Sequence, residues 1–170
     1  MSFISKSQGQ AYEPGYFLAH EECTRETRQF AQAGAVTADN GGKYVPMGTA
    51  YPANDATAIG IVYEDVDVTY GDMPGSVVTK GEVYEDKLAI TGVDYQEVTP
   101  ETGDNPKEKG WYERSGSAGS YVYTLTDDTT VQDGTTYYEA IDVRISSAAK
   151  TALEALGFKF ITSTDVVRPY

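Results

Sequence analysis

Between Asn40 and Leu88 the chain reads NGGKYVPMGTAYPANDATAIGIVYEDVDVTYGDMPGSVVTKGEVYEDKL, a series of short apolar runs punctuated by Gly, Pro, Asn and Asp. No other feature constrains the fold as much. An amphipathic helix needs a longer stretch with apolar residues at three-four spacing, whereas runs this short between turn formers are the sequence form of small strands. Asn40-Gly41-Gly42 is a hairpin-turn signal. Lys43–Val45 predicts a short strand stopped by Pro46, which cannot donate to a ladder. Gly48–Tyr51 runs on to Pro52, and Ala53–Ala56 turns the chain. Ala58–Val62 followed by Tyr63–Tyr70 predicts the longest strand, because Glu64–Thr69 alternates polar and apolar residues. Gly71–Gly75 predicts a turn. Ser76–Thr79 and Glu82–Tyr84 predict further strands, with Gly81 between them as a bulge or close-approach position.

Elsewhere the pattern is less regular. Met1–Tyr16 is polar with Gly9, Pro14 and Gly15, and predicts an extended arm. His20–Ala33 shows no stripe at helical spacing and is read as extended, and Ala35–Thr37 as the start of the first core strand. Thr99–Lys109 is a charged loop rich in Pro and Gly. The segments Gly110–Arg114, Ser120–Leu125 and Thr135–Val143 predict a three-stranded aromatic meander, marginal alone but feasible on a larger body. Ser146–Gly157 predicts one helix. Ser146 or Ser147 caps it, Ala149, Ala152, Leu153 and Leu156 form its apolar stripe, and Gly157 suits its left-handed end. Phe158–Ile161 predicts a last short strand, followed by a tail. The expected class is mainly β with one short C-terminal helix (α+β).

The 170 residues suit one domain, or a domain with a small insert, and are enough to bury a core. A net charge of −13 repels phosphate backbones and anionic lipid, so neither nucleic acid nor membrane is an expected partner. Cys23 is the only cysteine, so no intramolecular disulfide can form. The opening MSFISKSQGQAYEPGY has no apolar core of a signal peptide, and no run approaches a membrane span. The expectation is a chain made in the cytoplasm. Fourteen tyrosines favour strands and half-exposed contact surfaces.

Motifs for chemistry are weak. His20-Glu21-Glu22-Cys23 offers a metal pair, but the single His and single Cys leave too few good zinc ligands. Asp65, Asp67, Gly71 and Asp72 imitate a calcium loop with the spacing broken by Val68-Thr69-Tyr70, and a half-exposed strand accounts for the same residues. A serine triad would have to use His20, in an unstructured segment. Nucleophile-elbow, P-loop and dinucleotide glycine motifs are missing. The chain is not expected to be an enzyme or to need a cofactor.

One series of elements points further: Gly42-Lys43-Tyr44-Val45-Pro46, Gly48-Thr49, Tyr51-Pro52, Asn54-Asp55, Gly60-Ile61-Val62, Asp65-Val66-Asp67-Val68-Thr69, and Pro74-Gly75 leading to Gly81 and Val83. It resembles tailed-phage head decoration (capsid-stabilising) proteins, the lambda head-protein-D-like family. A helix of the type S-x-A-K-x-A-L-x-A-x-G-F continues the likeness at Ser147–Phe158, so it covers Ala35–Leu88 and Ile145–Phe160. Between them, Asn105-Pro106, Gly110-Trp111-Tyr112, Asp128-Thr129-Thr130-Val131, Gly134 and Tyr137-Tyr138 resemble a small module attached to various phage structural proteins.

The resemblance implies a β-tulip-like, small-stranded core at 35–91 and 144–170, an extended arm at 1–34 and an inserted meander at 92–143. It implies a structural virion protein on the outer surface of the expanded capsid, a homotrimer that bridges major capsid protein subunits. Candidate capsid contacts are Phe3, Tyr12, Tyr16, Phe17, Leu18 and Phe30 in the arm, with Tyr44, Met47 and Tyr51 in the core. Removing Met1–Gln32 is then expected to abolish capsid binding and leave the fold intact. Trp111, Tyr112, Tyr121 and Tyr137 are candidate outward contacts of the insert. The alternative is a tail or fibre adhesion module that binds host glycans through the same Tyr/Trp meander.

Overall fold

The computed structural model describes residues 14–163. The strands are β1 (Thr24–Phe30), β2 (Val36–Thr37), β3 (Lys43–Val45), β4 (Ala50–Tyr51), β5 (Gly60–Val62), β6 (Val66–Asp67), β7 (Met73–Lys80), β8 (Glu82–Tyr84), β9 (Gly92–Val98), β10 (Tyr112–Ser117), β11 (Ser120–Leu125), β12 (Tyr137–Val143) and β13 (Lys159–Ile161). The helices are α1 (Pro106–Lys109) and α2 (Ser147–Ala155). The protein is mainly β with one short helix near its C-terminal end, as the turn-rich sequence predicts. The chain divides into two compact units, 1–91 with 144–170, and 92–143.

In the first unit, the core unit, the main antiparallel sheet has the order β1-β7-β5-β4. Ile61 pairs with Val78 and Val62 with Val77. Adjacent residues of a strand face opposite sides, and here both sides are covered. Ile61 and Val78 join Phe17, Val83, Leu88, Ala149, Leu153 and Phe158 in one core. Val62 and Val77 join Phe30, Val66 and Val68 in a second. A sheet buried on both faces reads as a continuous apolar run rather than an alternating one, which explains Ile61-Val62 and Val77-Val78. Gly60 lies at the tightest point. A β-carbon there would sit 2.4 Å from both Val77 Cγ1 and the Val78 carbonyl oxygen.

The helix closes the first core. Ser146 keeps extended backbone and its hydroxyl accepts the Ala149 N–H at 3.0 Å, the capping bond its sequence position predicts. The Ser146 hydroxyl also donates to the Asn54 carbonyl at 2.9 Å, and the Ser146 N–H to Asn54 Oδ1 at 2.8 Å. Residues 92 positions apart are thus held together. Gly157, at φ +98°, ends the helix. The chain then runs into β13, which pairs parallel with β8. A separate sheet, β2-β3-β6, belongs to the same unit.

Three expectations need correction. Residues 14–34 are not an arm: Phe17 is fully buried, and β1 pairs with β7 along its whole length, Thr24 with Lys80 through Phe30 with Met73. Residues 1–13 lie outside the described residues. Tyr63–Tyr70 is not one strand. Tyr63 still bonds Ser76 in the main sheet, but Val66 and Asp67 cross to pair with Val45 and Tyr44 in the other. The longest strand is β7, which absorbs Met73-Pro74-Gly75 from the expected turn. Only Val77 and Val78 pair with β5, so at Pro74 the strand is open on that side, where a missing N–H is tolerated.

The second unit, 92–143, has four strands rather than three, in the antiparallel order β11-β10-β12-β9. The addition is β9, paired with β12 from Gly92–Val143 to Val98–Tyr137. Asp94, Gln96 and Glu97 mask it in sequence. The expected loop at Thr99–Lys109 contains α1, capped by Asn105 Oδ1, begun by Pro106 and ended by Gly110 at φ +68°.

Candidate interaction surfaces

The residues expected to contact a capsid do not form one surface. Tyr12 and Phe3 lie outside the described residues. Phe17 and Phe30 are buried core residues, one in each apolar cluster, and are unavailable as anchors. Leu18 and Met47 are half-buried against the first core. Tyr16 is exposed, with Lys87 Nζ 4.7 Å from its ring centre. Tyr44 is half-buried in β3, opposite Val36 and Asp67.

Tyr51 leads to a different site. Its hydroxyl donates to the Gln29 carbonyl at 2.9 Å, and its ring lies 4.9 Å from that of Phe30. These two aromatics form part of a cleft of about 360 Å³ with Val36, Val45, Pro46 and Ile90. Ile90 and Val36 present large apolar groups to solvent at its rim. Sequence reasoning did not single out Val36 or Ile90, because an isolated aliphatic residue carries no sign of where the chain will bring it.

In the second unit, strand register sorts the tyrosines by face. Tyr112, Tyr123, Tyr138 and Tyr95 fall on one side of the sheet through the pairs Tyr112–Tyr138, Arg114–Tyr123 and Ala140–Tyr95. Tyr95 and Tyr123 stack at 3.9 Å between ring centres, and Tyr112 and Tyr138 meet this stack edge-on. Arg114 lies 4.3 Å from the Tyr121 ring centre and 4.9 Å from that of Tyr138. The faces of Tyr95 and Tyr123 therefore cover each other, while Tyr112 is half-buried and Tyr121 is exposed.

Trp111 and Tyr137 were expected to face outward, and both are buried. They pack together at 5.7 Å, and with buried Pro106 they belong to this unit's own interior. A unit with few large aliphatic residues must spend its aromatics on its core. The Tyr137 hydroxyl donates to Asp128 Oδ2 at 2.6 Å and accepts the Gln132 N–H at 3.1 Å. Burial, and then the bond to Asp128, raise its pKa above the usual tyrosine value. The Tyr138 hydroxyl is buried with no hydrogen-bond partner among the described residues.

The residues weighed for chemistry are dispersed. His20 Nε2 lies 3.2 Å from Glu82 Oε2, and Cys23 packs half-buried against the first core. Asp65 accepts the Met47 N–H, Asp67 that of Thr69 and Asp72 that of Gln32, each at 2.8–2.9 Å. These carboxylates tie loops down separately. The bonds from the Thr69 hydroxyl and N–H lower the Asp67 pKa below the ordinary carboxylate value. Among the described residues no group of three His, Cys, Asp or Glu is placed to hold a metal ion. No helix among them is long and apolar enough to cross a membrane. Comparison of the chain with protein-family models, curated proteins and solved structures gives no match.

Proposed function

We propose that the chain is a structural virion protein that binds the outside of an expanded phage capsid and stabilises it by bridging major capsid protein subunits, as a homotrimer that assembles only on the capsid. One observation carries the reading. The two sequence stretches with decoration-protein likeness are separated by more than fifty residues, yet they build one body. Asn54 holds Ser146, Ala149 and Leu153 pack with Ile61 and Val78, and β13 pairs with β8. The segment between them forms a compact unit of its own.

Charge adds support for the outer surface. An inner location would set a protein of net charge −13 against packaged nucleic acid. With Phe17 and Phe30 in the core, this reading takes the Val36–Tyr51–Ile90 cleft as its contact surface, to which the capsid protein would present an apolar group. The purified chain is expected to co-sediment with expanded capsids that lack it. Ile90→Asp puts a charge on the cleft rim at an exposed position and is expected to weaken binding about tenfold or more without lowering thermal stability. Undiminished co-sedimentation of Ile90→Asp rules out the cleft, and no co-sedimentation of the parent chain rules out the function. The glycan-binding alternative keeps Tyr112 and Tyr121 but loses buried Trp111 and Tyr137; a glycan-array signal without capsid binding would favour it.

A further inference from the structure

β11 is the outermost strand of the second unit's sheet. β10 pairs with it from Ser120 to Leu125 on one side. Along the other side no strand among the described residues pairs with it, and an edge strand turns a row of N–H and C=O groups outward there. Proteins protect such edges with charged side chains, proline or bulges. Ser120-Tyr121-Val122-Tyr123-Thr124-Leu125 has neither charge nor proline, and its register with β10 is unbroken. Tyr121, Val122 and Leu125 are 42%, 59% and 58% exposed. The other long edges are guarded: β9 by Asp94 and Glu97, and β1 by Arg25, Glu26 and Arg28.

We infer that β11 pairs antiparallel with β11 of a second copy, about a two-fold axis at Val122. The strand is self-complementary about that residue. Tyr121 falls opposite Tyr123 of the second copy, Val122 opposite Val122, and Ser120 opposite Thr124. Aromatic, β-branched and hydroxyl pairs of this kind each favour an antiparallel junction. Charge selects the same strand. The unit carries eleven acidic and three basic side chains, so two copies repel almost everywhere else. β11 alone among its four strands has no charged residue, so pairing there sets no carboxylate directly opposite another. Arg114, 4.3 Å from the Tyr121 ring centre, is the cation beside the junction. The inference does not depend on the capsid reading.

Sedimentation equilibrium of the full chain tests it. The expected result is a monomer–dimer equilibrium that tightens with added salt, because screening weakens the repulsion between acidic copies. In a Cys23→Ser background, Val122→Cys is expected to oxidise to a covalent dimer, since directly opposed residues have Cα atoms about 4.5–5.5 Å apart, within disulfide reach. Thr124→Cys is expected to stay largely uncoupled, because its equivalent lies about four residues, or ~13 Å, along the second copy's strand. Val122→Lys sets like charges face to face and is expected to raise the dimer dissociation constant about tenfold with the thermal melt unchanged. A monomer at all concentrations, a trimer in place of the dimer, or equal coupling of the two cysteine variants overturns the inference.

Discussion

At the scale of single residues, Tyr137 and Tyr138 show what adjacent identical side chains can hide. Both are buried, on opposite faces of β12, and their hydroxyls differ in fate. The Tyr137 hydroxyl is bonded to Asp128 and Gln132, whereas that of Tyr138 has no hydrogen-bond partner among the described residues. Removing a satisfied hydroxyl strands its partner, and removing an orphan relieves a desolvation cost. Tyr137→Phe is therefore expected to destabilise the unit by about 1–2 kcal/mol, and Tyr138→Phe to leave stability unchanged or raise it by about 1 kcal/mol. Urea unfolding of both variants checks this, and equal losses would contradict it. Sequence alone announced tyrosines in alternating strands, but alternation says only that neighbours face opposite ways. Which side becomes interior is decided by distant groups such as Pro106 and Trp111.

At the scale of elements, legibility followed locality. α2 was readable because its cap, stripe and terminator all lie within Ser146–Gly157. The short strands β3 and β8 were readable because turn formers lie beside them, whereas β5 was run on into Tyr63–Tyr70 because nothing local marks where the chain leaves the main sheet. β1 was recognised as extended but misplaced as part of an arm, since only its pairing with β7 reveals it as the edge of the main sheet. β9 was missed because Asp94, Gln96 and Glu97 dilute its apolar pattern while β12 supplies its order. Removal of Met1–Gln32 takes away β1 and the fully buried Phe17. Burying a Phe side chain is worth roughly 1.5–3 kcal/mol, and the strand's ladder is lost with it. The truncated chain is expected to be unfolded or aggregated. A cooperative melt like that of the full chain would show that residues 14–32 are an arm after all.

At the scale of the whole molecule, a resemblance split in sequence is rejoined in one unit. Thr91 and Arg144, the two points where the core unit leaves and resumes, are hydrogen-bonded through Thr91 Oγ1 and the Arg144 carbonyl at 3.3 Å. Excision of 92–143 with a short glycine join is therefore expected to leave a folded core with its thermal transition, and loss of that transition would mean that the core needs the insert. The candidate contact surface was less legible than the fold: Tyr51 was named from sequence, but its companions Val36 and Ile90 come from separate loops and strands. The central claim, that this core clamps the outside of an expanded shell, is tested most directly by an electron-microscopic reconstruction of expanded capsids incubated with the purified chain. The account predicts added density on the outer surface at symmetry-related sites, with the core unit against the capsid protein. Bare shells at saturating protein, or density only on the inner surface, would contradict it.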